Sequence, residues 1–189
     1  MATQKERTDA TRRTLVEAGR TLFAERGYAN VCVADLAAAA GVTTGAIYHH
    51  FASKEGVFRA VYDDLVQATW ERILAARAAH PDSGLLGDCH IYLDACADPA
   101  YFQITADAPS VLGWDQLVDG TTPLIEASLH AARDRDEIVD APIEALARML
   151  AAALKEAGVM IATAADPAGA RIQATQAAHR LINGILSFR

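Results

Sequence analysis

The sequence has few of the features that build disulfide frameworks or membrane spans. Its three cysteines are an odd and sparse set among 189 residues, which argues against a disulfide framework and is typical of a reducing cytoplasm. No uninterrupted apolar run reaches the ~20 residues of a membrane helix, because the richest run, near 149–165, is broken by Lys155 and Glu156. The polar start, MATQKERTDATRR, shows no secretory signal. We therefore expect a cytoplasmic protein.

Strand patterns are also nearly absent. No alternating run of β-branched residues exceeds a few positions, whereas Ala and Leu recur at helical spacing. Hydrophobic residues make up 52% of the chain, enough for a core and too many for a disordered chain. The sequence therefore predicts an all-α fold. The predicted breaks between helices fall at His80-Pro81-Asp82-Ser83-Gly84, Asp98-Pro99, Ala108-Pro109, Asp140-Ala141-Pro142 and Asp166-Pro167. The predicted helices cover 9–25, 32–40, 44–50, 54–79, 85–97, 99–105, 111–135, 143–164 and 168–188.

The most informative segment runs from Val33 to Phe58, VADLAAAAGVTTGAIYHHFASKEGVF. An Ala-rich helix stops at Gly41, where glycine tolerates a left-handed turn. Thr43 or Thr44 can cap the helix that follows this turn, and Ser53 can cap the next one. Thr8 or Asp9 is expected to cap the first helix of the chain. Two short helices joined by a tight turn are typical of a helix-turn-helix, whose second helix enters the DNA major groove.

Charge is divided unevenly along the chain. Residues 1–59 carry eight basic and six acidic residues, a net charge of +2, and residues 60–189 carry nine basic and eighteen acidic residues, a net charge of −9. A mildly basic N-terminal part suits DNA, and an acidic remainder disfavours nonspecific DNA contact through the wrong face. Most individual acids are equally well explained as solvent-exposed helix residues.

The segment Thr8–Tyr62 resembles the DNA-binding domain of the TetR family of bacterial transcriptional repressors. The residues that carry the resemblance are Phe23, Glu25-Arg26-Gly27-Tyr28, Asp35-Leu36-Ala37, Ala40-Gly41-Val42, Gly45, Tyr48, His50-Phe51 and Lys54-Glu55, with a further fragment from Asp107-Ala108-Pro109 to Gly113-Trp114. The resemblance implies a three-helix DNA-binding domain (residues 1–58, the head) joined by a long fourth helix to a helical effector-binding and dimerisation domain (residues 59–189, the body).

Residues on and beside the second helix of the motif are the candidate DNA contacts. Small residues let the helix backbone approach the groove, and Thr hydroxyls reach base edges or phosphates. The candidates are Thr43, Thr44, Gly45, Ala46, Tyr48, His49, His50 and Lys54. Tyr48 and His50 match family positions that contact phosphates, although Tyr48 could instead pack in the core. Lys54 begins the fourth helix, where its charge and the helix dipole both favour a phosphate.

Two positions depart from the family pattern. Cys32 stands where a Ser or Thr cap is usual, so the second helix is expected to start less firmly. Ala34 stands where a longer polar residue often touches a base, so base recognition is expected to depend more on the third helix.

The effector site is predicted in the middle of the body, where aromatic, His and Met residues suit an apolar ligand with one or two polar groups. The candidates are His90, Leu93, Phe102, Trp114, Glu126 and His130. A packed core is the alternative for each of them. No cofactor or metal is expected, because Glu126 and His130 share a helix face without further ligands nearby.

The last two helices are predicted to form a four-helix interface with a second copy of the chain, as the resemblance implies. Small residues at Ala153, Ala157, Gly158, Ala177 and Gly184 would permit close approach; the alternative is that both helices complete the monomer core. The expected partners are thus a DNA operator, a small-molecule effector and a second subunit, for a repressor rather than an enzyme. The other interpretations are a ligand-independent DNA-binding regulator, and a helical enzyme or metal-binding protein.

Overall fold

The computed structural model describes residues 3–80, 83–138 and 141–186, and over these residues the chain forms helices and no strand, as the sequence predicts. The side chains of residues 100, 185 and 186 are outside the description, as is the predicted end of the last helix at 188. The helices are α1 Gln4–Arg26, α2 Val33–Ala40, α3 Thr44–Phe51, α4 Lys54–Ala79, α5 Gly84–Cys96, α6 Phe102–Leu112, α7 Trp114–Asp134, α8 Ile143–Thr163 and α9 Pro167–Leu186, with a 3-10 turn at Pro99–Tyr101.

The first helix starts earlier than predicted because Thr3 caps it. The backbone N–H of Thr3 donates to Oε2 of Glu6 at 2.6 Å, and the N–H of Glu6 donates to Oγ1 of Thr3 at 3.3 Å. This reciprocal pair is a capping box. The predicted cap at Thr8 or Asp9 is wrong; the Thr8 hydroxyl instead donates to the carbonyl of Gln4 inside the helix, at 3.0 Å.

A single apolar face of α1 packs on the start of α4. Leu15, Leu22 and Phe23 are buried at helical spacing. Gly19 lies between them, and a Cβ at this position would meet Val57 Cγ1 at 3.0 Å. The glycine therefore permits the two helices to approach closely, which holds α4 firmly in the head.

The turn of the helix-turn-helix has the predicted geometry. Gly41 ends α2 in the left-handed region, with φ 66° and ψ 31°. The start of α2 differs from the expectation, because the backbone N–H of Cys32 donates to Oδ2 of Asp35 at 2.8 Å. A hydrogen bond with the Cys32 side chain, followed by this backbone hydrogen bond, lowers the pKa of the Asp35 carboxyl. An acidic side chain in the first turn thus stabilises a helix start that lacks a Ser or Thr cap.

The predicted break at Ala108-Pro109 is wrong, since α6 continues through Pro109 to Leu112. Proline removes one backbone donor, but Ile104, Ala108 and Leu112 form a buried face that offsets this cost. The actual break is at Gly113, whose φ of 84° is in the region that favours glycine.

The described residues form two cores, and the first has members on both sides of the predicted domain boundary at 58/59. The first core joins the head to Val61 and Tyr62 of α4 and to Ile104, Ala108 and Leu112 of α6. The second core is formed by α5, α7, α8 and α9, with Leu93, Leu129, Ala147, Ile161 and Ile182 among its buried members. Helices α4 and α6 therefore connect the head to the body through packing as well as through the chain.

Candidate DNA-contacting face and internal cavity

The first turn of α3 presents small polar residues outward. Thr43, Thr44 and Gly45 are exposed, while Ile47 and Phe51 anchor the helix in the head core. The Thr43 hydroxyl accepts a hydrogen bond from the N–H of Ala46 at 3.2 Å, which fixes the cap. The outer face of α3 is therefore rigidly held and open to a groove.

The rest of this face carries aromatic and imidazole side chains. Tyr48 is 56% exposed, so the alternative that it packs in the head core does not hold here. His49 is exposed and His50 half-buried, and their rings meet edge to face at 5.0 Å between centroids. The carbonyl of His50 accepts a hydrogen bond from Arg12 at 3.1 Å, and the Arg12 guanidinium lies 4.3 Å from the Phe51 ring centre. Through these two contacts, Arg12 links α1 to the C-terminal end of α3.

Lys54 is engaged inside the head rather than extended toward solvent. Its Nζ donates to the carbonyls of Tyr28 and Val31, each at 2.9 Å, and lies 3.9 Å from the Tyr28 ring centre. The predicted contact of Lys54 with a DNA phosphate would therefore involve an ammonium that already has two hydrogen-bond acceptors inside the head. Its contacts place Lys54 between α4 and the loop that precedes α2.

A cavity of about 70 Å³ lies between α4 and the body helices. Its lining residues from α4 are Tyr62, Leu65, Val66, Thr69, Trp70 and Ile73. The rest of the lining comes from α5, α6, α7, α8 and α9. The volume is less than half of the ~150 Å³ apolar cavity that admits benzene in another protein, so a metabolite requires the surrounding helices to move apart.

Among the residues that the structure describes, two charged ones line this cavity, Asp88 and Lys155. Asp88 is buried and forms an ion pair with Arg77, whose Nε donates at 2.8 Å. Arg77 also donates to the Ser128 hydroxyl. Lys155 is 4% exposed, and its Nζ donates to the Tyr62 hydroxyl at 2.9 Å. Asp88 and Lys155 are thus bonded to different residues of the protein.

The six residues predicted to bind the effector do not line this cavity. Leu93 is buried in the body core, where Phe102 and Trp114 pack against it. The Nε2 atoms of His90 and His179 are 2.6 Å apart. His130 is exposed beside Arg133, and Glu126 is half-buried outside the lining. These side chains lie on other faces of the same helices, which their spacing along the chain alone did not reveal.

Sequence reasoning missed the contribution of α4. Tyr62, Val66, Thr69 and Ile73 recur at intervals of three and four residues, the spacing of one helix face. The spacing is visible in the sequence, but the role predicted for α4 is that of a connector between head and body. Lys155 was interpreted only as an interruption of an apolar run, and no local pattern pairs it with Tyr62.

The cavity thiols are buried and weakly acidic. Burial raises the pKa of Cys89 to about 12, with Asp88 and Cys96 adding to the shift. Burial also raises the pKa of Cys96 and of the Tyr92 phenol. Thiols in this state are poor nucleophiles at neutral pH, so their contribution to the cavity is apolar surface.

The last two helices have exposed apolar side chains on the outside of the body. Met149 is 69% exposed, Met160 51% and Leu181 54%. Met149 and Met160 lie three turns apart on one exposed face of α8. Neither residue lines the cavity. Gly158, predicted for the interface, faces inward instead, because a Cβ there would meet Cys96 Sγ at 2.9 Å. Leu150, Leu154, Ala178 and Ile182 are buried in the monomer core.

No helix among the described ranges combines the length and the apolar character needed to cross a membrane.

Two family models match the chain. One, described as bacterial regulatory proteins of the tetR family, matches residues 15–61, and the other, a tetracyclin repressor-like C-terminal domain, matches residues 83–185. The first therefore covers the helix-turn-helix, and the second covers α5 to α9.

Individual proteins are similar over different lengths. The transcriptional repressor Rv1474c of Mycobacterium tuberculosis is 31% identical over 144 residues, which cover 68% of this chain and 72% of the relative. The repressor KstR2 of Rhodococcus jostii is 39% identical over 105 residues, 53% of this chain and 47% of the relative. The chain thus covers less than half the length of the first relatives that it matches.

A solved structure is similar over nearly the whole chain. A TetR-family transcriptional regulator from Pectobacterium atrosepticum superposes with a TM-score of 0.77 at 31% identity and covers 97% of both chains. The similarity therefore includes the arrangement of head and body.

Proposed function

The chain belongs to the TetR family of bacterial transcriptional regulators, and on that premise we propose that it is a homodimeric repressor that binds a palindromic operator and is released by a small-molecule effector. The proposal divides the chain into a DNA-binding head, residues 1–58, and an effector-binding and dimerisation body, residues 59–189. It places the protein in the cytoplasm and assigns it no enzymatic activity.

The observation that carries the proposal is the position of α4. Val57, Phe58 and Val61 are buried in the head core, and Thr69 and Ile73 further along the same helix line the cavity. A continuous helix transmits a displacement along its length. A ligand that enlarges the cavity therefore moves the head, and the ligand must favour the conformation that does not fit DNA.

DNA binding is assigned to the outer face of α3. Thr43, Thr44, Gly45 and Ala46 approach base edges, where Thr hydroxyl and methyl groups can contact bases. Tyr48, His49 and His50 continue this face toward the phosphate backbone. Lys54 contributes by holding the start of α4 against the loop before α2.

Dimerisation is assigned to the exposed faces of α8 and α9. Met149, Met160 and Leu181 would be covered by the second subunit, and the small exposed residues Ala177 and Gly184 permit close approach of α9. Two heads are required to bind both halves of a palindrome.

The experiment is selection of binding sites from random duplexes, followed by a thermal-shift screen of metabolites and drugs. The proposal expects an enriched inverted repeat, binding that weakens steeply with salt, and a stabilising compound that releases the operator. Failure to enrich any sequence would contradict specific DNA binding.

The small cavity favours a second candidate function, a DNA-binding regulator without an effector. At about 70 Å³ the space fits at most a very small ligand. An operator complex that no stabilising compound dissociates would support this candidate against effector release.

A further inference from the structure

The ammonium of Lys155 is buried in the cavity, and among the described residues no carboxylate forms an ion pair with it. The side chain is 4% exposed, and among the residues that the structure describes its one hydrogen-bond acceptor is the neutral Tyr62 hydroxyl, at 2.9 Å. The ring centres of Tyr62 and Tyr92 lie 5.2 and 5.4 Å from Nζ. A ring face attracts a cation much more weakly than an anion does. A buried ammonium is costly unless it is paired.

The charges around the cavity do not cancel. Asp88, the acid of the lining, is already paired with Arg77, and no ion pair of Lys155 occurs within the described part of the chain. Asp88 and Arg77 neutralise each other, so the Lys155 ammonium leaves an excess of one positive charge. A ligand with a single negative charge would neutralise this excess positive charge.

We propose that the effector is a monocarboxylic acid with an apolar body, bound through its carboxylate by Lys155 and Tyr62; this rests on the proposed function. Tyr62 accepts from Lys155, and within the described residues no acceptor is recorded for its own O–H. The ammonium and the phenol thus provide two adjacent donors, which match the two oxygens of a carboxylate. A phosphate, with nearly two charges and three acceptor oxygens, fits a single cation less well.

The rest of the lining selects the apolar body. Leu65, Val66, Trp70 and Ile73 of α4 line the cavity together with Leu150 and Leu154 of α8. Once the helices move apart, these residues offer hydrophobic surface to an aliphatic chain or an aromatic ring.

The contact between Lys155 and Tyr62 also explains how effector binding changes the position of the head. Lys155 belongs to α8 and Tyr62 to α4, and Tyr62 is also a member of the head core. A carboxylate that accepts hydrogen bonds from both groups inserts between them and replaces the direct bond that joins α8 to α4. The small cavity requires α4 to move as the apolar body enters. The ligand charge and the ligand volume therefore displace the same helix.

The test measures binding of matched probes to the full chain by calorimetry at pH 7.5. The acids are the straight-chain monocarboxylates from butanoate to decanoate, with benzoate and phenylacetate; each is compared with its primary amide and its alcohol. The charge-assisted contact predicts that at least one acid binds about tenfold or more tightly than its amide. Absence of acid binding, or equal affinity for acid and amide, overturns the proposal.

Variants locate the preference. Lys155→Met should remove the preference for the acid, whereas Lys5→Met, a matched change at an exposed lysine of α1, should keep it. Tyr62→Phe should reduce the preference and leave part of it. A Lys155→Met protein that folds and still prefers the acid overturns the assignment. If that variant does not fold, the affinities of the unaltered chain for acid and amide still test the proposal.

The two proposals fail differently. A neutral compound that releases the operator, with no preference for acids, would leave the proposed function intact and refute the carboxylate site. An acid bound through Lys155 that leaves operator binding unchanged would support the carboxylate site and refute effector release.

Discussion

The backbone N–H of Tyr28 donates a 2.7 Å hydrogen bond to Oδ2 of Asp107, which ties the loop after α1 to α6. The other carboxylate oxygen of Asp107 accepts from Gln103 at 2.9 Å. Thr105, two residues before Asp107, lines the cavity. Helix α6 therefore provides a second physical connection between the cavity and the head, besides α4.

Asp107→Ala should weaken the joint between head and body. Loss of a hydrogen bond to a charged acceptor costs about 1.5–3 kcal/mol, measured as the free energy of unfolding in urea. The operator response to an effector should also decrease. The matched control is Asp119→Ala, which removes a half-exposed pair with Arg148 and should cost at most about 1 kcal/mol. Equal losses in the two variants would refute the role given to Asp107.

Lys54→Met should lower stability, because two backbone carbonyls lose their donor and the Tyr28 ring loses a cation. The expected loss is about 1–3 kcal/mol in the free energy of unfolding. The salt dependence of operator binding should stay unchanged. A slope of log affinity against log salt that flattens by about 1 in this variant would instead indicate a phosphate contact.

Thr44→Val should weaken binding to the selected operator by about 1–3 kcal/mol and leave binding to random duplexes nearly unchanged, if the Thr44 hydroxyl contacts a base edge. Fluorescence anisotropy on both duplexes measures the difference. Thr14→Val is the matched control, since this hydroxyl is exposed on α1 and bonds to the carbonyl of Ala10. A parallel loss on both duplexes would assign Thr44 to the phosphate backbone.

Met149→Glu combined with Leu181→Arg should separate the subunits, because both side chains are exposed apolar residues on α8 and α9. Light scattering should change from dimer to monomer, and operator affinity should fall because each head then binds alone. The control Leu74→Glu alters a 47% exposed leucine of α4 and should keep the dimer. An unaltered chain that is monomeric at micromolar concentration would refute the assembly.

The two tryptophans should report differently on the effector. Trp70 lines the cavity, whereas Trp114 packs outside it against the body core. A compound that releases the operator should change the fluorescence of Trp114→Phe, which retains Trp70, and leave that of Trp70→Phe nearly unchanged. The reverse result would return the effector site to the position predicted around Trp114.

The sequence by itself determined the helices and the helix-turn-helix. The left-handed turn at Gly41 and the caps at Thr43 and Ser53 depend on neighbouring residues, so local spacing was enough to predict them. Local signals also misled. Pro109 indicated a break, but α6 continues because its buried face, which no local pattern reports, outweighs one lost hydrogen bond.

Only the tertiary structure decided where the cavity lies and what charge it contains. Tyr62 and Lys155 are 93 residues apart in the chain, and Tyr28 and Asp107 are 79 residues apart. Helical periodicity predicts which face of a helix is buried, but it does not predict which other helix covers that face. The residues around His90 and Trp114 have a suitable composition for a ligand site, yet the packing of α4 against α5 and α6 placed the cavity on a different set of helix faces.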